Sequence, residues 1–154
     1  MPPAHRYSIS LTWTGNRGTG TSGYRDYDRS HELSAPDKSA IACSSDPSFR
    51  GDAARYNPEE LLVGALSACH MLWYLHLCAE AGVVVERYSD AAEGTMQLEA
   101  DGGGRFVEVI LRPRCSYRAP VESALVRQLH AAAHARCFVA NSVNFPVRVQ
   151  PADG

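Results

Sequence analysis

The sequence predicts one α+β domain across residues 1–154. Three observations carry that expectation. Apolar residues alternate near the start of the chain and again in its second half, which is the pattern of strands. Between these stretches Leu61 to Cys78 run almost without charge, at helical length. Finally, 154 residues, 45% of them hydrophobic, suffice for one core, and no linker, repeat or low-complexity stretch divides them.

Taken in order, residues 5–13 place Tyr7, Ile9, Leu11 and Trp13 on one face, so a half-buried strand is expected there. TGNRGTGTSG at 14–23 reads as a turn or an irregular hairpin. A strand is expected over 27–34, a short one around Ile41, and a loop over 46–57. The strongest element follows. Asn57 is a good helix N-cap, Pro58 suits the first helical position, and Glu60 completes a capping box. Gly82 is a natural stop. A helix this apolar should be buried on most sides. Two strands joined by a glycine turn at 102–104 come next, with Val107, Ile110 and Leu111 packing on the sheet. Pro120 opens a second helix over 121–136, whose apolar stripe is Leu125, Leu129 and Ala132, and a strand closes the chain at 143–149.

Charge excludes some functions. Fifteen basic and seventeen acidic residues leave a net −2, without the basic excess that nucleic acid or an anionic membrane would require. The N-terminus lacks the basic start and apolar core of a signal peptide, and no apolar run reaches the ~20 residues of a bilayer span. A cytoplasmic protein is therefore expected, with no nucleic-acid partner and no membrane. Its cysteines, Cys43, Cys69, Cys78, Cys115 and Cys137, are odd in number and cannot all pair within the chain. Each is then core filler, ligand or reactive group.

On a helical wheel Leu62, Ala65, Leu66, Leu72, Trp73 and His76 cluster around Cys69, and Cys78 lies on the opposite side. The bland reading of Cys69 is a small hydrophobe in a core. It sits roughly 18 Å from the helix start, too far for the helix dipole to favour a thiolate. A reactive Cys69 would need an arginine from elsewhere, held by a carboxylate such as Glu59, although Glu59 alone reads as a first-turn acid. His130, His134 and Cys137 share roughly one face of the second helix and form a partial metal-ligand set, though two histidines on such a helix are more often solvated. The apolar face around Leu66, Cys69 and Trp73 could instead hold a lipid-like molecule without chemistry. Cys43, Cys78 and Cys115 read as core or surface residues.

At NPEELLVGALSACH the chain resembles the thiol-dependent peroxidases of the OsmC/Ohr family, with Glu59 and Cys69 at the family's spacing. ARCFVANSVNFPVRV supplies a second signature through Cys137, Asn141 and Ser142, and WTGNRGTG is similar to the family's opening segment. The resemblance covers nearly the whole chain. It implies an antiparallel sheet wrapping a long buried helix, in an intertwined homodimer with the site at the subunit interface. It also implies reduction of organic hydroperoxides by Cys69, resolution by Cys137 and re-reduction by a lipoyl-type or similar dithiol, with no cofactor. Arg17 would activate the thiolate and pair with Glu59, with Arg25 and Arg29 as other candidates. His70 after the reactive cysteine, and Phe138 and Val139 after the second, depart from residues common in similar proteins.

Overall fold

In the computed structural model, which describes residues 1–152, contacts divide the chain into two compact units, Met1–Leu61 and Leu62–Gly154. The first holds an antiparallel sheet of β1 (Ser10–Trp13), β2 (His31–Ser34) and β3 (Ile41–Cys43), in that order. The strand expected over 5–13 begins only at Ser10, and it is not half-buried: Tyr7, Ile9 and Leu11 are 92%, 65% and 65% exposed. Their alternation marks a face with no cover in this chain. The glycine-rich segment is the long β1–β2 connection, and its motif has a local cause. Trp13 Nε1 donates to the Asp28 carbonyl at 2.8 Å, and a Cβ on Gly15 would lie 1.9 Å from that same oxygen. The Asn16 side chain accepts from the N–H groups of Gly18 and Gly20.

Helix α1 (Pro58–Glu80) starts and stops where the sequence places it. Asn57 Oδ1 accepts from Glu60 N–H at 2.8 Å, and Glu60 Oε1 accepts from Asn57 N–H at 3.2 Å, a reciprocal capping box. At the other end Gly82, at φ 73°, lets Val83 N–H reach Cys78 O and its own N–H reach Ala79 O, a Schellman stop. By length and composition α1 could cross a bilayer, but it packs as a core helix. The expectation of burial on most sides needs correcting. Leu66, His70, Tyr74, Leu77 and Cys78 are buried along one side, whereas Ala65, Ala68, Leu72, His76 and Ala79 lie exposed along the other.

The second unit also contains β4 (Val85–Asp90), β5 (Glu93–Leu98), β6 (Gly104–Leu111), β7 (Pro113–Tyr117), α2 (Ser123–Arg136) and β8 (Val147–Val149). Two strands were expected where four are found. They are one long hairpin cut in two, because Asp90↔Pro113 and Glu93↔Ile110 keep a common register across the break. At the break Asp90 Oδ1 accepts from Arg112 N–H and Asp90 Oδ2 from Ser67 Oγ, each at 2.6 Å, and Pro113 has no N–H to donate. The result is a β4–β7 pair and a separate β5–β6–β8 sheet. The sheets are therefore not purely antiparallel, since β8 runs parallel to β6, and β8 begins at Val147 rather than 143, after Pro146.

Helix α1 serves both cores of this unit. Its N-terminal half packs Leu62, Val63 and Leu66 on Val109, Leu111, Val147 and Val149. Its C-terminal half packs Tyr74, Leu77 and Cys78 on Leu129 and Ala133 of α2 and on Val85, Tyr88 and Cys115. Cys115 lies within β7, packed against this core, and Cys78 is part of it. Leu66 is fully buried, so it is not available to line an open apolar hollow.

Candidate active site

The middle of α1 and the end of α2 bring two thiols together. Cys137 is the C-cap of α2, its N–H donating to the His134 carbonyl at 3.3 Å. The chain then turns through a short 3-10 segment, Ala140–Ser142. Besides its backbone bonds, three bonds that use a side chain hold that turn: Ala140 N–H donates to Cys137 Sγ at 3.4 Å, Asn141 Nδ2 to the Ala135 carbonyl at 3.1 Å, and Ser142 Oγ to the Phe138 carbonyl at 2.7 Å. The Asn and Ser that follow Cys137 thus fasten the loop that presents its sulfur.

Cys137 is 1% exposed, and its thiol lies beside that of Cys69, a half-buried residue. Burial, and then the neighbouring Cys69 thiol, push the Cys137 thiol up to about 11, so it keeps its proton at neutral pH. Of the pair, Cys69 is the less buried residue. One turn further on, Trp73 meets Phe138 edge-on at 5.5 Å, and Leu72, Trp73, His76 and Phe138 line a shallow hollow of about 280 Å³. His76 forms part of that wall, its Nε2 3.2 Å from Glu80. The Arg136 guanidinium lies 5.8 Å from the Trp73 ring centroid.

On the buried side of α1 His70 Nε2 meets His130 Nδ1 at 3.0 Å, with the rings stacked. Tyr74 stacks on His130 at 3.8 Å, and its hydroxyl meets that of Tyr117 at 2.6 Å. Burial, with His134 nearby, lowers His70 to about 4. Burial raises the Tyr74 and Tyr88 phenols and pushes Tyr117 up to about 12. Sequence reading missed this network. Its only trace was the i, i+4 spacing of His70 with Tyr74 and of His130 with His134.

The other candidates lie in the first unit. Arg17 is half exposed, 3.7 Å from Asp28, and also bonds the Arg25 carbonyl; Glu59 stands in the first turn of α1. Arg29 is more enclosed, donating to the Tyr24 and Tyr27 carbonyls at 2.7 and 2.8 Å and lying over both rings. The metal reading finds no ligand set: among the described residues no three His, Cys, Asp or Glu side chains converge to hold an ion. His130 is hydrogen-bonded to His70, and Cys137 lies beside Cys69.

A half-buried thiol held against a buried one, between a long core helix and the end of a second helix, defines an α+β dithiol protein. The chain belongs to the OsmC-like protein family, whose model matches residues 51–152. It is similar to an OsmC-like protein of unknown function from Vibrio cholerae, at 29% identity and TM-score 0.86, covering 96% of this chain and 99% of that one. The fold is shared with an organic hydroperoxide resistance protein from Elizabethkingia anophelis with thiocyanate bound, at 19% identity, TM-score 0.71 and coverage of 97% and 99%. It is shared too with the organic hydroperoxide resistance protein OhrB of Bacillus subtilis, at 18% identity, TM-score 0.66 and coverage of 94% and 98%. No functionally curated protein matches the chain by sequence.

Proposed function

We propose that the protein is a thiol-dependent peroxidase that reduces organic hydroperoxides. The observation that carries this reading is the placing of half-buried Cys69 beside buried, protonated Cys137, near enough for the two thiols to influence each other. Cys69 thiolate attacks the hydroxyl-bearing oxygen of ROOH. The O–O bond breaks, Cys69 becomes a sulfenic acid, and RO⁻ takes a proton to leave as the alcohol. The Cys137 sulfur then displaces that hydroxyl, releasing water and forming the disulfide. A disulfide needs sulfurs ~2.0 Å apart, so Cys69 and Cys137, already neighbours as thiols, close on each other to form it. An external dithiol of the lipoyl type returns both thiols by exchange and is itself oxidised to a disulfide. The Trp73–Phe138 hollow receives the apolar group R.

Arg17 and Glu59 complete the proposed machinery on the family resemblance, Arg17 stabilising the Cys69 thiolate and Glu59 holding the guanidinium. We place the activity in the cytoplasm, where thiols stay reduced, and assign the working unit as a homodimer. Wild type should turn over cumene hydroperoxide with dihydrolipoamide, and Cys69→Ser should abolish it. Cys137→Ser should leave a sulfenic acid that dimedone traps, visible by intact mass. Absence of turnover with every dithiol tried would leave a non-catalytic binding module as the better account, and absence of the dimedone adduct would overturn the two-cysteine mechanism.

A further inference from the structure

A second hollow, of about 330 Å³, lies on α2, lined by Arg127, His130, Ala131, His134, Val149 and Pro151. The four helix residues fall at i, i+3, i+4 and i+7, one face of α2, and Val149 of β8 and Pro151 form the facing wall. Its residues are distinct from those of the hollow beside the thiols. We propose that this site binds an apolar monocarboxylate.

The lining sets that chemistry. Arg127 is the one permanent cation in it, and among the described residues it has no carboxylate partner. A guanidinium fork matches a carboxylate through two parallel hydrogen bonds. His134 lines the same face of α2, its Nδ1 closed off from solvent and its ring forming part of the wall. His130 is buried and is held in orientation by His70. One permanent positive charge balances a monoanion and falls short of a dianion. Ala131, Val149 and Pro151 supply apolar walls that a hydrated inorganic ion would not use. The volume is at the lower end of the roughly 300–1,000 Å³ of small-molecule sites, which suits a body of one or two rings.

The site sits against the machinery of the thiol pair. His134 gives its carbonyl to the N–H of Cys137, and His130 bonds His70, the neighbour of Cys69. Binding does not depend on the peroxidase reading and is measured without peroxide.

The test is calorimetric titration of the full-length reduced protein with 3-phenylpropionate. One saturable site is expected, with 3-phenylpropanamide and inorganic phosphate failing to compete. Arg127→Gln, at an exposed position, should weaken binding about tenfold or more, Arg127→Lys should fall between, and Phe138→Ala in the thiol hollow should leave it unchanged. The proposal is overturned by absence of saturable binding, by equal binding of the amide, by an Arg127→Gln variant that binds like wild type, or by loss of binding in Phe138→Ala.

Discussion

His70, 1% exposed and inside α1, faces His130 and His134 of α2, Asp90 of β4 and the Tyr74 ring on its own helix. Burial acts first and the neighbouring His134 second, against a smaller opposing pull from Asp90, and together they lower His70 from 6.5 to about 4. The sign of the consequence follows from proton uptake. Between those two values the unfolded chain binds a proton that the folded chain excludes, so acid favours unfolding. The contribution is complete above pH 6.5, is lost as pH falls toward 4, and does not fall further below. Its size is on the order of 3 kcal/mol. His70→Gln removes the titration while keeping an amide able to meet His130. Urea unfolding of wild type should lose stability across that interval, and His70→Gln should show a shallower slope. Equal slopes would mean that His70 is not the group responsible.

Among the elements, α1 was legible in sequence from end to end, because its limits are set by local chemistry. Asn57 and Glu60 cap each other, and Gly82 takes a left-handed φ. The interruption of the long hairpin was not legible, because its cause is remote. Asp90 accepts from Arg112 N–H, 22 residues away, and from Ser67 Oγ, 23 residues away. The meeting of Cys69 and Cys137 is similar. A helical wheel places Cys69 on a face but says nothing of what arrives there, and only the family resemblance supplied its partner. Nor could an apolar run reveal which side of α1 its own chain covers. The Asp90 contacts yield a prediction at this scale. Asp90→Ala would strand a backbone N–H and a hydroxyl that now bond a carboxylate, and should cost about 3 kcal/mol in urea unfolding. Asp90→Asn keeps an acceptor and should cost less. An alanine variant as stable as wild type would remove Asp90 as the hinge of the hairpin.

For the whole molecule the decisive feature is the uncovered side of α1. Ala65, Ala68, Leu72 and Ala79 recur at helical spacing on that side, with His76 the one polar side chain among them, and Leu72 is 63% exposed. A lone surface helix would place charge there; this one places small apolar side chains, which let another helix approach closely. The apolar row Tyr7, Ile9 and Leu11 is likewise uncovered in the first unit. A second copy of the chain would cover both features, since an isologous interface places the same surface of each copy against its mate. The homodimer we assign should therefore run at twice the monomer mass in light scattering at micromolar concentration. Placing a charge in the stripe should break it: Leu72→Glu brings a carboxylate into a desolvated contact in each copy, and the two repel as well as lose their water. That variant should shift to monomer mass, while Glu86→Gln, at an exposed position of β4, should leave the dimer intact. A wild-type protein that scatters as a monomer, or a Leu72→Glu variant that stays dimeric, would show that the apolar side of α1 is not the seat of a second copy.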